Sequence, residues 1–129
     1  MNGQEWDVSG FQARLHENGL LEVIVDGDLS PQLIQRLLQH VWQTVQTVGP
    51  LTGLLLDLRR SAAVSIVRVS GLADTLSQLV TPIAVVFIRN QQHRLASLIH
   101  PTLSRREEIA YFTNPLDAWH YLLCRVDTS

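Results

Sequence analysis

The chain has 129 residues, 46 % of them hydrophobic and 17 % charged, with a formal net charge of −2. That length suits one domain with one core, and the balance is globular rather than disordered. The charge argues against a general nucleic-acid binder, and a single cysteine, Cys124, leaves no partner for an intrachain disulfide.

Residues 1–10 are polar, with Trp6 their one candidate for packing on a domain. They carry neither a basic flank nor an apolar core, so no secretory signal is expected, and they read as a flexible N-terminus. Phe11-Gln12-Ala13-Arg14-Leu15-His16 alternates apolar with polar, the pattern of a half-exposed strand. Asn18-Gly19 favours a tight turn. Residues 20–25 then form a second strand, closed by Asp26-Gly27-Asp28. The two strands make an antiparallel hairpin.

Ser30-Pro31 opens the first helix, Ser as N-cap and Pro at the first helical position. Leu33, Ile34, Leu37, Leu38, Val41, Trp42, Val45 and Val48 recur every three or four residues as one apolar stripe, which makes Trp42 a core candidate. Gly49-Pro50 stops the helix. Thr52-Gly53-Leu54-Leu55-Leu56-Asp57-Leu58-Arg59-Arg60-Ser61 is the central strand and its end. Successive strand residues face opposite sides, so this apolar run needs cover on both.

Helical spacing returns from Ile66 through about Val80, weakened by Gly71. Thr81-Pro82 breaks it before a second fully apolar strand, 83–88, which ends at Arg89-Asn90. A third helix is expected over 91–99, with Leu95, Leu98 and Ile99 inward. Ile109-Ala110-Tyr111-Phe112 is the last strand. Asn114-Pro115-Leu116-Asp117 starts the last helix, whose inner face is read as Leu116, Trp119, Leu122, Leu123 and Val126. The order β-β-α-β-α-β-α-β-α implies an α/β fold: a mostly parallel five-stranded sheet with an N-terminal hairpin and four helices, in one domain over 11–126.

This order resembles the SpoIIAA-like fold of STAS domains and anti-sigma-factor antagonists. Three segments carry the resemblance: Asn18-Gly19-Leu20 with Val23-Ile24-Val25-Asp26-Gly27-Asp28-Leu29; Leu54-Leu55-Leu56-Asp57-Leu58; and Phe112-Thr113-Asn114-Pro115-Leu116-Asp117-Ala118-Trp119, which is similar to the closing segment of the bacterial SpoIIAA-like branch. The resemblance implies a non-enzymatic regulatory or protein-binding module, and the single cysteine makes a reducing, cytoplasmic setting the expectation. Antagonists of this family carry an Asp-Ser-(Ser/Thr)-Gly-type motif whose serine is phosphorylated. Here Asp57 matches, but Leu58-Arg59-Arg60-Ser61 follows in place of the Ser-Gly.

Ligands of open α/β sheets dock at the C-terminal strand ends. That places a candidate site for an anion or a partner at Asp57, Arg59, Arg60, Ser61 and Ser65 from one strand and Arg89, Asn90, His93 and Arg94 from its neighbour. Every basic side chain is Arg, the residue suited to bidentate recognition of carboxylate and phosphate, although a high-GC codon bias produces the same preference. The plainer alternative is a set of solvated loop residues, with Asp57 pairing to an Arg or capping the second helix. The five histidines show no metal-ligand spacing, and there is neither a Gly-x-Ser-x-Gly elbow nor a Gly-rich phosphate loop. No catalytic residue, metal or cofactor is therefore assigned. Cys124 reads as a packing residue, and no run is long enough to span a bilayer. A small apolar-ligand carrier, lipid-like in cargo, is the alternative function: the resembled fold has relatives among lipid-binding proteins, and the chain is rich in Leu and Val. The strands at 54–56 and 83–88 are apolar at both parities, which fits either a homodimer on the sheet face or an adjoining helix, or a monomer with both faces covered.

Overall fold

A computed structural model describes residues 4–8, 10–27, 29–61, 66–87 and 109–127. The strands are β1 (Gln4–Val8), β2 (Phe11–Leu15), β3 (Leu20–Asp26), β4 (Gly53–Arg60), β5 (Ile83–Val86) and β6 (Ile109–Phe112). The helices are α1 (Pro31–Val48), α2 (Ile66–Leu76) and α3 (Pro115–Asp127). The helix expected over 91–99 lies outside the described residues.

The sheet runs β1-β2-β3-β4-β5-β6 in chain order. The five expected strands are β2 to β6, and β1 adds a sixth at the edge. Its five residues pair antiparallel with β2, Gln4 opposite Leu15 and Val8 opposite Phe11, where a loose N-terminus was expected. Polar composition hid this strand, because an edge strand needs a backbone partner more than an apolar face. The sheet is mixed rather than mostly parallel: β1-β2 and β2-β3 are antiparallel, while β3-β4, β4-β5 and β5-β6 are parallel.

Local chemistry places the elements as expected. The hairpin turn is closed by Gly19 N–H to His16 O, 3.0 Å, and by His16 N–H to Leu20 O, 2.9 Å, with Gly19 at φ 86°. Ser30 Oγ accepts the Leu33 N–H at 3.1 Å at the start of α1, and Gly49 N–H returns to Val45 O at its end. Asn114 Oδ1 accepts the Leu116 N–H at 2.9 Å at the start of α3. The second helix stops at Leu76, short of Val80, where the chain turns with Leu79 N–H on Leu76 O.

Consecutive parallel strands joined by right-handed crossovers put their connecting helices on one face. Leu21, Val23 and Val25 of β3, Leu54, Leu56 and Leu58 of β4, and Ile83 and Val85 of β5 are buried on that face with Leu33, Leu37 and Val41 of α1 and Val69, Leu72 and Ala73 of α2. The chain leaves β6 and returns across the opposite face as α3, which lies on β4, β5 and β6. A smaller layer forms there from Leu20, Leu55, Ala84 and Val86 with Ala118 and Leu122. Close approach occurs at Gly53, where a Cβ would stand 2.7 Å from Leu20 Cδ2 and 3.3 Å from Leu122 Cδ2. Four stripe residues depart from expectation: Trp42 of α1 is 50 % exposed, Val48 at the end of the same helix is exposed too, and Leu116 and Leu123 of α3 face solvent. Each lies at the margin of its apolar stripe, and one layer of sheet under a helix is too narrow to cover so wide an arc.

Candidate functional site: an arginine clamped on the open half of the sheet

Because α3 lies on β4 to β6 and reaches β3 only at Leu20, no described helix covers β2 and the rest of β3 on that face. Side chains there follow the cross-strand register. Arg14 of β2 stands opposite Glu22 of β3, and Gln12 opposite Ile24. Glu22 stands beside Leu55 of β4, and Ile24 beside Asp57. The first row therefore runs from polar at β2 to apolar under α3, whereas the second alternates, with Gln12, Ile24 and the carboxylate of Asp57 side by side. Glu22, Ile24, Asp57, Arg59 and Arg60 line a groove of about 320 Å³ on this half.

The β3–β4 register shifts at the groove. From Ile24 to Asp26 β3 advances two residues while its partners on β4, Asp57 to Arg60, advance three. Such a bulge bends a strand and re-aims its side chains. Asp57 stabilises this one: its Oδ1 accepts the Arg59 backbone N–H at 3.0 Å. The same carboxylate holds the Arg59 side chain, Nε to Oδ1 at 3.0 Å and Nη2 to Oδ2 at 2.7 Å, a two-point clamp. Asp57 is buried, 5 % exposed at the side chain, whereas the Arg59 side chain is 42 % exposed. The pKa of Arg59 is raised further above its ordinary value, first by the hydrogen bond to Asp57, against some loss from burial, with the charges of Asp57 and Glu22 adding. The guanidinium is thus a fixed cation, and among the described residues Nη1 makes no hydrogen bond.

Glu22 closes the other wall. Its Oε1 meets His16 Nε2 at 3.0 Å and lies 3.9 Å from Arg14 Nη1. The His16 ring stacks edge-on against Trp119 of α3, centroids 5.1 Å apart. The last helix therefore helps to position a groove wall that belongs to the first hairpin.

Of the residues expected at the site, Asp57, Arg59 and Arg60 line this groove. They lie within β4 rather than in a loop after it, and the groove opens on the sheet face rather than beyond the strand ends. The plainer expectation holds in part, since Asp57 does pair to an Arg; as a capping residue for the second helix it is corrected, because it lies on the sheet. Ser61 is 3 % exposed, so it presents no surface to the groove's solvent side. Ser65, Arg89, Asn90, His93 and Arg94 lie outside the described residues. Sequence reasoning missed Glu22, His16 and Arg14. The available signal was Glu22 itself, an acid with apolar residues on both sides of it in β3. Cys124, read as a packing residue, is exposed.

Among the described residues no three His, Cys, Asp or Glu side chains gather as a metal site, and no helix is long and apolar enough to cross a membrane. Comparison with protein-family models finds no match to this chain, and comparison with curated proteins finds none either.

Proposed function

We propose that this chain is a STAS-like, non-enzymatic regulatory module of the cytoplasm that binds an anionic group, carboxylate or phosphate, in the β3–β4 groove. The group is carried by a protein partner or is a small anion. The observation that carries this reading is the Asp57 clamp. It neutralises one edge of Arg59 and fixes its plane, so the outer edge meets an anion with little loss of side-chain freedom. Arg60 lines the same groove and supplies a second guanidinium. Glu22 opposes an anion on the far wall, which restricts the approach to the Arg side. The richness in Leu and Val that suggested a lipid carrier is accounted for by the two core layers.

Calorimetric or NMR titration with inorganic phosphate and with acetate tests the proposal. An isolated anion on two half-exposed guanidiniums is expected to bind at about millimolar strength. Arg59→Gln should weaken it at least about fivefold, with a smaller loss for Arg60→Gln. Shifts absent from Ile24, Asp57 and Arg59 up to roughly 50 mM anion, well above the expected dissociation constant, would remove the site.

A further inference from the structure

The two walls of the groove carry opposite charge, and each keeps a polar edge with no partner. On the β4 wall the Asp57 clamp takes up Nε and Nη2 of Arg59. Among the described residues Arg59 Nη1 makes no hydrogen bond, and the Arg60 side chain makes neither hydrogen bond nor ion pair. On the β3 wall Glu22 directs Oε1 at His16 Nε2, 3.0 Å away, and at Arg14 Nη1, 3.9 Å away. Its Oε2 takes no hydrogen bond among the described residues, although an ionised carboxylate accepts at both oxygens. The Glu22 side chain is only 15 % exposed, and partial burial strengthens its pull on a cation relative to a surface carboxylate. Between the walls lies half-buried Ile24, two residues after Glu22 on β3 and beside Asp57 of β4, so the floor is apolar. The pKa of Arg59 is raised first by its hydrogen bond to Asp57, against some loss from burial, and the charge of Glu22 adds to the rise. The two walls therefore stand within electrostatic reach of each other.

A bare anion satisfies one of these walls and is repelled by the other. We propose that the ligand of the groove is a small zwitterion, an amino-carboxylate whose carboxylate meets Arg59 and Arg60, whose ammonium meets Glu22 Oε2, and whose short hydrocarbon spacer lies over Ile24. This inference rests on the anion reading of the same site and adds a second, cationic contact to it. The register sets the span. Glu22 and Asp57 are one strand apart and two residues apart along it, so their Cα atoms stand about 8 Å from each other. Side chains rise roughly perpendicular to a sheet, so the groups on the two walls keep about that spacing. A hydrogen bond of ~2.8 Å at each end leaves room for about one to three methylenes between ammonium and carboxylate. The groove volume, about 320 Å³, lies at the small end of ligand sites and suits such a molecule rather than an extended peptide.

Matched titrations of the full chain, by calorimetry and NMR at neutral pH, are the experiment: acetate against glycine, propanoate against 3-aminopropanoate, and butanoate against 4-aminobutanoate. The members of each pair share a carboxylate and differ by one ammonium. In at least one pair the amino acid is expected to bind about fivefold or more tightly than its plain carboxylate. Glu22→Gln keeps the length of the side chain and removes its charge. It should abolish that gain and, by lifting the repulsion, tighten acetate about twofold. The two ligand series thus move in opposite directions, whereas a merely structural role of Glu22 would move both the same way. Plain carboxylates that shift Ile24, Asp57 and Arg59 while no amino acid binds more tightly overturn this inference and leave the anion site standing. A gain that survives Glu22→Gln overturns it as well. If neither series perturbs those three residues, the anion site itself fails and the zwitterion site with it.

Discussion

Leu55 tests whether the sheet is covered on both faces. It is 1 % exposed and packs with Leu20, Ala84, Val86, Ala118 and Leu122 under α3. Leu55→Ala removes three carbons, a transfer loss of about 2.4 kcal/mol at ~0.8 kcal/mol each, and adds a cavity term that brings buried Leu→Ala changes to roughly 2–5 kcal/mol. Among the described residues the layer between the sheet and α3 holds six buried side chains, and a helix packed on one side can settle toward a void. The expected loss is therefore in the lower half of the range, about 2–3.5 kcal/mol. Leu56, on the other face, lies in the larger core with α1 and α2, so Leu56→Ala should cost about 3–5 kcal/mol. Urea unfolding followed by circular dichroism measures both. With m of about 2 kcal/mol/M the midpoint of Leu55→Ala should fall by about 1–2 M at unchanged m. A loss of only a few tenths for Leu55→Ala beside a full loss for Leu56→Ala would refute a second core layer under α3.

Gly53→Ala forces a methyl within 2.7 Å of Leu20 Cδ2 in a fully buried contact, so a destabilisation of about 1–3 kcal/mol is expected in the same urea assay. Asp57→Ala removes the acceptor for both the Arg59 backbone and its guanidinium. Since half-exposed Arg59 regains water, the expected loss is about 1–2 kcal/mol, with weaker phosphate binding by calorimetry, and Asp57→Asn should recover part of both. Burial pushes the His40 imidazole below its usual pKa of 6.5, so the unfolded chain binds the proton more readily. His40 then contributes stability above pH ~6.5 that is lost as pH falls through that value toward the lowered folded pKa. Stability measured from pH 8 to 5 should drop more steeply for the wild type than for His40→Gln; parallel curves would exclude this linkage.

Much of the fold was legible in the sequence because its signals are local. Ser30-Pro31, Asn18-Gly19, Gly49-Pro50 and Asn114-Pro115 mark boundaries through capping and turn chemistry, which needs only neighbours in the chain. The four leucines at 54–58 required a strand covered on both faces, and both faces are covered. The tertiary structure decided what depends on which element lies opposite. Gln4–Val8 becomes a strand only because β2 offers an unpaired edge, so its own composition carries no sign of it. Trp42 looked like core because the apolar stripe of α1 is wide, and how much of a stripe is buried depends on the width of the layer below. Asp57 was legible as a pairing or capping residue, but its place on the sheet face was not. Glu22, His16 and Trp119 stand far apart in sequence. They meet because sequential right-handed crossovers place α1 and α2 on one face and leave the other to α3, which touches the first hairpin at His16 and Leu20 only. The groove occupies the part of the sheet that this topology leaves open, and no local rule of the chain specifies its position.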